Sequence, residues 1–540
     1  MCGGEREPVN LFTICERYEH PQHVSLAALL RERACVQPDA PAVFIDGGWL
    51  TYAALIEQTF RAANALAHRG IGPGDRVGAL LPNTGAFLAV WLAAAELGAT
   101  FVPVNINLTG ETLRYIVQHA DLSALVVDAT LLASYAQAFG EDHPARLVIV
   151  AGDEDFSRPG MLNFARLLRE APPEPPPLLP ILPEHPALII YTSGTTGRPK
   201  GVVLSRAAQL AHGWYYGKDF VRVGPGEASY TCLPLFHVTS MGFTLGTLLG
   251  GGRIGIDARF NPFAFWERVR QFEARIFPYV GAMIGTLLGR PERDDDATNP
   301  AQRAIGSATP ADMWEQFERR FGLTLIETYG QTELGSLWMM PPPEGARVGT
   351  VGKPAPRFRA IIADRDGQPL PPGEQGEILI QPFDPLLMTP GYFRDEATTA
   401  HAFRYPGWYA TGDIGVQDTD GFFRFCGRLR DFIRRRGENV SAFEVERVAL
   451  THPAVREAAA VGVPSAVGEE EIKLCVVLHE GMAFDPDDLD RYLRRHLPRF
   501  MQPRYIQRYD AFPRTATQRV QKFRLVEDGV AEAWERRRRG

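Results

Sequence analysis

The sequence predicts an α/β protein: a large, multi-layered N-terminal domain with parallel-rich sheets over residues 1–428, then a small α+β C-terminal domain over 429–540. Three observations lead there. At 540 residues the chain is far longer than one compact core usually holds. Its first large section alternates helical patterns with short β-branched runs, as layered α/β folds do. Near residue 427 the texture changes to an arginine-dense stretch, GRLRDFIRRRGENV, and a compact helix–strand–strand–helix pattern follows.

Taken in order, LAALLRERACVQP (26–38) and YAALIEQTFRAANALAHRG (52–70) space their apolar residues as helices. RVGALLPN (76–83), ALVVDA (124–129), ARLVIVAG (145–152) and ALIIYTSG (187–194) read as short buried strands. The apolar run AFLAVWLAAAELGATFVPV (86–104) contains Glu96, and Gly98 stands where a helix would end. A buried helix leading into a core strand is therefore expected, and not a membrane span. Residues 171–186, APPEPPPLLPILPEHP, are too rich in proline for helix or sheet and read as a surface connector. After residue 441 come a helix AFEVERVALTHP, strands EAAAVGVPS and EIKLCVVLHE, and a helix DDLDRYLRRHLP, in a domain of about 110 residues. The basic end, ERRRRG, reads as a solvated helix end.

Composition narrows the function classes. Hydrophobic residues make up 45% and charged residues 22%, ordinary globular values. A net charge of −7 argues against a nucleic-acid binder. The six cysteines form no CxxC pair and have no histidine cluster nearby, so free thiols in a reducing compartment are expected, and neither a disulfide framework nor a zinc site. The polar N-terminus reads as lacking a secretory signal, and a cytoplasmic location is expected.

The sharpest local signal is YTSGTTGRPKG, from Tyr191 to Gly201, directly after the strand ALII. Thr192, Ser193, Gly194, Thr195 and Thr196 supply hydroxyls and backbone N–H groups that turn inward, and Lys200 adds a point charge, a set able to hold a polyphosphate. The spacing is not that of the GxxxxGK[ST] loop. This string closely resembles the signature of the superfamily of acyl-CoA synthetases, firefly luciferases and nonribosomal-peptide adenylation domains, and further motifs follow in the family's order over nearly the whole chain.

The resemblance implies the rest of a site. Tyr329-Gly330-Gln331-Thr332-Glu333 would place Tyr329 on adenine, Thr332 at the α-phosphate and Glu333 at Mg²⁺, roles suited to an aromatic, a hydroxyl and a carboxylate. Gly306-Ser307-Ala308 resembles the adenine-flanking turn. Asp413 resembles the acceptor for both ribose hydroxyls, although an Asx-turn is its structural alternative. Arg428 resembles the arginine that reaches the ribose and phosphate, and Arg430 stands at the hinge position of a mobile C-terminal domain. Gly437, after Arg434 to Arg436, would let the pantetheine of coenzyme A pass close to the backbone. His237, in LPLFHVTSMG, resembles a gate to the acyl site; its bland alternative is a packed core residue.

The resemblance thus implies activation of a carboxylic acid by ATP with Mg²⁺, followed by transfer of the acyl group to coenzyme A. One departure stands out. Where the family carries a Gly-Lys pair near its end, this chain reads Gln518-Arg519, with Lys522 three residues on. Arginine keeps the charge with a larger, planar fork, so Arg519 is expected to do the lysine's job with altered geometry. Lys522 in that role, or impaired adenylation, are the alternatives.

Gly213 to Tyr216, Tyr279 to Met283 and Leu334 to Ser336 are the candidate acid-pocket segments, mixing aromatics with small residues. The motifs YVGAM, RRRGENVSAFEVE and TQRVQK look like the branch of crotonobetaine/carnitine–CoA ligases, which points to a short or medium-chain, functionalised acid. Loading of a carrier-protein thiol and a non-catalytic nucleotide-binding homologue remain as other classes, luciferase-like oxygen chemistry shows no positive sign, and a homodimer is left open.

Overall fold

The structure is a computed structural model that describes residues 25–140, 142, 144–179, 182–192, 198–309, 311–342, 345–429, 432–435, 438–464, 470–514 and 520–536. The chain divides into two compact units. The first comprises residues 1–192, 199–358 and 382–400; the second comprises 193–198, 359–381 and 401–540. This packing division differs from the boundary expected at 428/429, since residues 401–428 pack with the second unit.

The first unit is built on two seven-stranded sheets. One contains β3 (Arg76–Leu80), β4 (Thr100–Pro103), β5 (Ala124–Asp128), β6 (Leu147–Ala151), β7 (Leu162–Asn163), β8 (Pro186–Thr192) and β9 (Lys200–Ser205), in the order β7-β6-β5-β3-β4-β8-β9. All neighbours are parallel except β8 and β9. The other contains β1 (Pro41–Ile45), β2 (Gly48–Thr51), β10 (Ala228–Thr231), β11 (Arg253–Ile256), β12 (Ala274–Val280), β13 (Arg303–Ser307) and β14 (Thr324–Glu327). Its order is β14-β13-β12-β10-β11-β1-β2, parallel except for the β1–β2 hairpin. Strands this apolar need both faces covered, which is why helices alternate with them. The expected parallel-rich α/β architecture is what the chain adopts.

Helix α1 (Gly85–Glu96) shows how burial overrides a misleading hydropathy. It is buried from Phe87 to Glu96 and ends before Gly98, whose φ of +67° breaks the helix into β4. Glu96 is 2% exposed and is met by Arg31, whose Nε lies 3.1 Å from Oε1. Burial pushes its carboxyl up while the arginine opposes the shift. Among the described residues no helix is long and apolar enough to cross a membrane. The described residues of the proline-rich connector form no helix or strand before β8. Side chains serve its carbonyls instead: Arg61 reaches Ala171, Asn64 reaches Pro172 and Glu174, and Arg31 reaches Pro176.

The second unit carries a four-stranded sheet of β18 (Phe358–Ala363), β19 (Gln375–Pro382), β20 (Tyr409–Gln417) and β21 (Phe423–Arg428). The hairpin β22 (Phe432–Arg435) and β23 (Glu438–Ser441) follows, and then a sheet of β24 (Val455–Pro464), β25 (Glu470–Leu478), β26 (Tyr505–Arg508) and β27 (Trp534–Glu535). Helices Ala442–Leu450 and Pro486–His496 cover it, matching the helix–strand–strand–helix pattern read from the sequence. Lys473 in β25 is fully buried, and its ammonium donates to the carbonyls of Leu525 (2.9 Å) and Gly529 (2.6 Å), clamping the chain just after the Arg519 segment. Cys35, Cys232, Cys426 and Cys475 are free thiols.

Candidate active site

In the first unit the site grows from the β8–β9 hairpin. Thr192 ends β8 and Lys200 opens β9, and the two are register partners, so the loop between them starts and finishes at one place. Ser193, Gly194, Thr195 and Thr196 lie outside the described residues. Gly201 has no room for a side chain: a Cβ there would lie 2.9 Å from Ile189 and 3.2 Å from the Tyr191 ring. Tyr191 itself is held by His119, whose Nδ1 is 2.7 Å from the phenol oxygen. Burial and then Arg394 depress the His119 pKa.

A segment distant in sequence completes this corner. The Val203 N–H donates to the Gly391 carbonyl (3.2 Å) and the Phe393 N–H to the Gly201 carbonyl (2.7 Å), so residues 391–393 run beside β9. Tyr392 then does two things. Its hydroxyl donates to Glu333 Oε1 at 2.9 Å, and its ring centroid lies 5.5 Å from Lys200 Nζ. The Thr389 N–H also donates to the Glu333 carbonyl at 2.7 Å. Lys200 and Glu333, two of the residues singled out above, are thus brought together through a tyrosine that the sequence reading missed. No fixed motif spacing flagged Tyr392; the only hint was an aromatic beside Gly391, whose φ is +145°.

The turn expected to flank adenine is equally determined. Gly306 and Ser307 end β13, and Ala308 adopts φ +65°. Glu327, at the end of the neighbouring β14, gathers the turn: its carboxylate accepts from the Ala308 N–H (2.6 Å), the Thr309 hydroxyl (2.7 Å) and the Tyr279 hydroxyl (2.9 Å). Burial pushes the Glu327 carboxyl up, and these hydrogen bonds oppose it. The Gly306 carbonyl accepts both the N–H (2.9 Å) and the hydroxyl (2.8 Å) of Thr328. Ser307 and Ala308 remain exposed. Strand β15 (Tyr329–Gln331) continues from there, with Tyr329 8% exposed and its ring 5.0 Å from Trp338. Gly330, Gln331, Thr332 and Glu333 are half-buried, the last two in a 3₁₀ turn. The sequence reading also missed Glu327; a lone acidic residue ending an apolar strand was the available signal.

Other expected positions fall as follows. His237 is exposed at the start of helix Val238–Gly250, its ring 4.7 Å from Phe236, so it is not a packed core residue. Of the pocket segments, Tyr215 and Leu334 line one cleft, whereas Tyr279 and Met283 are packed in a hydrophobic core. In the second unit Asp413 sits in β20 and not in an Asx-turn; it is 2% exposed, with Arg428 Nε 3.2 Å from Oδ1 across the β20–β21 ladder. Gly412, φ +69°, donates its N–H to Glu377 (3.0 Å). Lys522 Nζ is 2.7 Å from Glu446 Oε1. Arg430, Arg436, Gly437 and Arg519 lie outside the described residues.

Among the described residues no group of three or more His, Cys, Asp or Glu side chains is placed to hold a metal ion. A single carboxylate such as Glu333 nevertheless fits Mg²⁺, which commonly takes one or two protein carboxylates together with substrate phosphates and water.

Two family models match the chain: AMP-binding enzyme over residues 30–393 and AMP-binding enzyme C-terminal domain over residues 444–519. The sequence is similar to a sulfoacetate–CoA ligase of Cupriavidus necator, 32% identical over 93% of this chain and 97% of that protein. It is also similar to a crotonobetaine/carnitine–CoA ligase of Salmonella typhi, 29% identical over 88% of this chain and 92% of that protein. Among solved structures, ATP-bound MatB from Rhodopseudomonas palustris superposes with a TM-score of 0.83 at 27% identity, covering 94% of this chain and 99% of that one. A benzoate CoA ligase from Burkholderia xenovorans gives 0.82 at 25% identity, covering 93% and 100%.

Proposed function

The chain belongs to the AMP-binding enzyme family, and from that premise we propose that it is an AMP-forming acid–CoA ligase acting on a short, functionalised carboxylic acid. The observation that carries the reading is the Lys200–Tyr392–Glu333 arrangement beside the β8–β9 loop, in a chain that matches CoA ligases along nearly its whole length.

The reaction has two steps. A carboxylate oxygen of the acid attacks the α-phosphorus of ATP, the bond to the β-phosphate oxygen breaks, and pyrophosphate leaves. The sulfur of coenzyme A then attacks the acyl carbonyl, and AMP leaves with the electrons of the broken C–O bond. Negative charge gathers on phosphate oxygens in the first step, and fixed cations and donors lower its energy. Lys200 and the hydroxyls and N–H groups of residues 192–196 serve the β- and γ-phosphates, and Thr332 serves the α-phosphate. Glu333, oriented by Tyr392 and Thr389, would hold Mg²⁺ together with the phosphates, where the ion would neutralise charge on ATP. Tyr329 and the Gly306–Ala308 turn flank the adenine, with Glu327 as the positioning residue of that turn. Asp413 and Arg428 receive the ribose, and Arg519 bridges acid and nucleotide. His237 gates the acyl site, and Gly437 lines the path of coenzyme A. The segment from 429 turns between the two steps, with Arg430 as hinge.

The acid assignment follows the relatives, whose printed substrates, sulfoacetate and crotonobetaine or carnitine, are small and polar. A cytoplasmic location accords with use of ATP and coenzyme A. The test is AMP release from a panel of short carboxylic acids with ATP, Mg²⁺ and CoA. CoA-dependent AMP release with at least one acid is expected, and Glu333→Gln should lower acid-dependent ATP–pyrophosphate exchange about a hundredfold. An inert panel, or a fully active variant, contradicts the reading.

A further inference from the structure

The loop that carries His237 is fastened from a different sheet. Strand β10 ends at Thr231, and residues 233–237 lead from its carboxyl end into helix α2 (Val238–Gly250). In the same sheet β10, β12 and β13 are parallel neighbours, so this loop and the turn that follows Gly306 leave one common edge. Carboxyl edges of parallel sheets are where α/β proteins hold their ligands. Asn83 stands just past the carboxyl end of β3, in the other seven-stranded sheet, and its side chain crosses to backbone 150 and 174 positions further along the chain.

Asn83 is 5% exposed and uses both ends of its amide. Nδ2 donates to the carbonyls of Leu233 (3.0 Å) and Asp257 (2.8 Å), and Oδ1 accepts from the Leu235 N–H (2.7 Å). Asp257 is a fixed post: its carboxylate accepts from the Tyr230 hydroxyl (2.8 Å) and from Arg268 Nε (3.0 Å). Within the loop, the Leu233 N–H donates to the Thr231 hydroxyl (3.2 Å) and the His237 N–H to the Pro234 carbonyl (3.1 Å). Those two bonds shape a turn; the Asn83 bonds tie it to the neighbouring sheet. Leu235 and Phe236 are buried, and the exposed His237 ring lies 4.7 Å from that of Phe236.

Apolar burial holds such a loop down but has no direction, so it does not fix where the next side chain stands. Hydrogen bonds have direction, and an asparagine amide supplies two donors and an acceptor in one plane, the set that two carbonyls and an N–H require. Removing it strands those three backbone groups, and the loop must shift to satisfy them. We propose that Asn83 is a positioning residue for the acid site: it sets where His237 stands and, through His237, how tightly the acid is held. This role rests on the ligase reading above and on His237 as the gate; Asn83 acts through the loop and not on the substrate.

Steady-state kinetics on the full chain test it, with ATP, Mg²⁺, CoA and whichever of acetate, propanoate, butanoate and sulfoacetate releases AMP fastest. Asn83→Ala is expected to raise KM for the acid about tenfold while KM for ATP stays within about twofold, because a displaced loop misplaces the acid and not the nucleotide. KM does not depend on how much of the protein is folded, so a loss of stability leaves this split readable. Asn83→Asp, of the same size but without the two donors, should show the same acid-only rise. His237→Ala should raise the acid KM as well, and Asn83→Ala combined with His237→Ala should be no worse than the poorer single variant, since both act through one side chain. Equal rises in KM for acid and ATP, or a lower Tm with neither KM changed, overturn the inference, and so do effects that multiply in the double variant. A His237→Ala enzyme with the parental acid KM removes the gate, and the role of Asn83 with it. If no acid releases AMP, the ligase reading has failed and the role of Asn83 falls with it.

Discussion

At the scale of the residue, His212 shows how a single neutral ring couples stability to pH. Its native pKa is pushed down to about 3 by burial, against an ordinary value of 6.5. Above pH 6.5 neither the folded nor the unfolded chain protonates it. As pH falls below that value the unfolded chain takes up a proton that the folded chain refuses, so stability held at neutral pH is lost progressively toward pH 3. One such proton is worth about 1.4 kcal/mol per pH unit within that window. His212→Gln, which carries no proton to gain, should therefore show a shallower fall of Tm between pH 6.5 and pH 5 than the parent chain. Identical slopes in thermal melts at a series of pH values would remove His212 from the account. Tyr392 and Glu327 teach a related point: each acts by orienting another group, and neither type of residue announces that in sequence.

At the scale of the element, the 306–309 turn, proposed to flank adenine, depends on close backbone approach between neighbouring strand ends. Gly281 opens the helix Gly281–Leu288 after β12, and a Cβ there would lie 1.9 Å from the Ala308 carbonyl oxygen. Backbone cannot swing aside as the end of a side chain can. Gly281→Ala should push the 306–309 turn off the Glu327 carboxylate, cost about 1–3 kcal/mol of stability, and raise KM for ATP more than it lowers kcat. Gly224→Ala, where a Cβ meets nothing within 4 Å, is the matched control and should leave both KM and Tm unchanged. Calorimetry and initial-rate kinetics on the pair check this; a Gly281→Ala enzyme as stable and as tight for ATP as the control refutes it.

At the scale of the whole molecule, the two proposed steps share one nucleotide, and the closing segment of the chain is expected to serve the first. Lys522 is tied to Glu446 at 2.7 Å within its own unit, and Lys473 clamps the carbonyls of Leu525 and Gly529. A lysine held this way fits a structural strut, and Arg519 remains the proposed cation for adenylation. Arg519→Ala should lower ATP–pyrophosphate exchange about a hundredfold, yet still convert added acyl-adenylate to thioester, while Lys522→Ala keeps full exchange. Loss of exchange in Lys522→Ala with Arg519→Ala intact would reverse the assignment.

Local chemistry in the chain already dictates a good deal: alternating strand and helix patterns set the parallel α/β layering, Glu96 and Gly98 turn an apolar run into a buried helix and core strand, and the Gly/Ser/Thr run before Lys200 is what raises the expectation of a phosphate loop. These are short-range facts, written in period, turn residues and donor types within a few positions. What needs the folded chain is every partnership made over long sequence distance. Tyr392 meets Glu333 because residues 391–393 lie along β9, and Glu327 gathers residues 308 and 309 because β13 and β14 are neighbours. Arg357 reaches Tyr215 and Asp219 in the same way. Packing, and not residue type or spacing, brings such groups within hydrogen-bond range, so no motif records them.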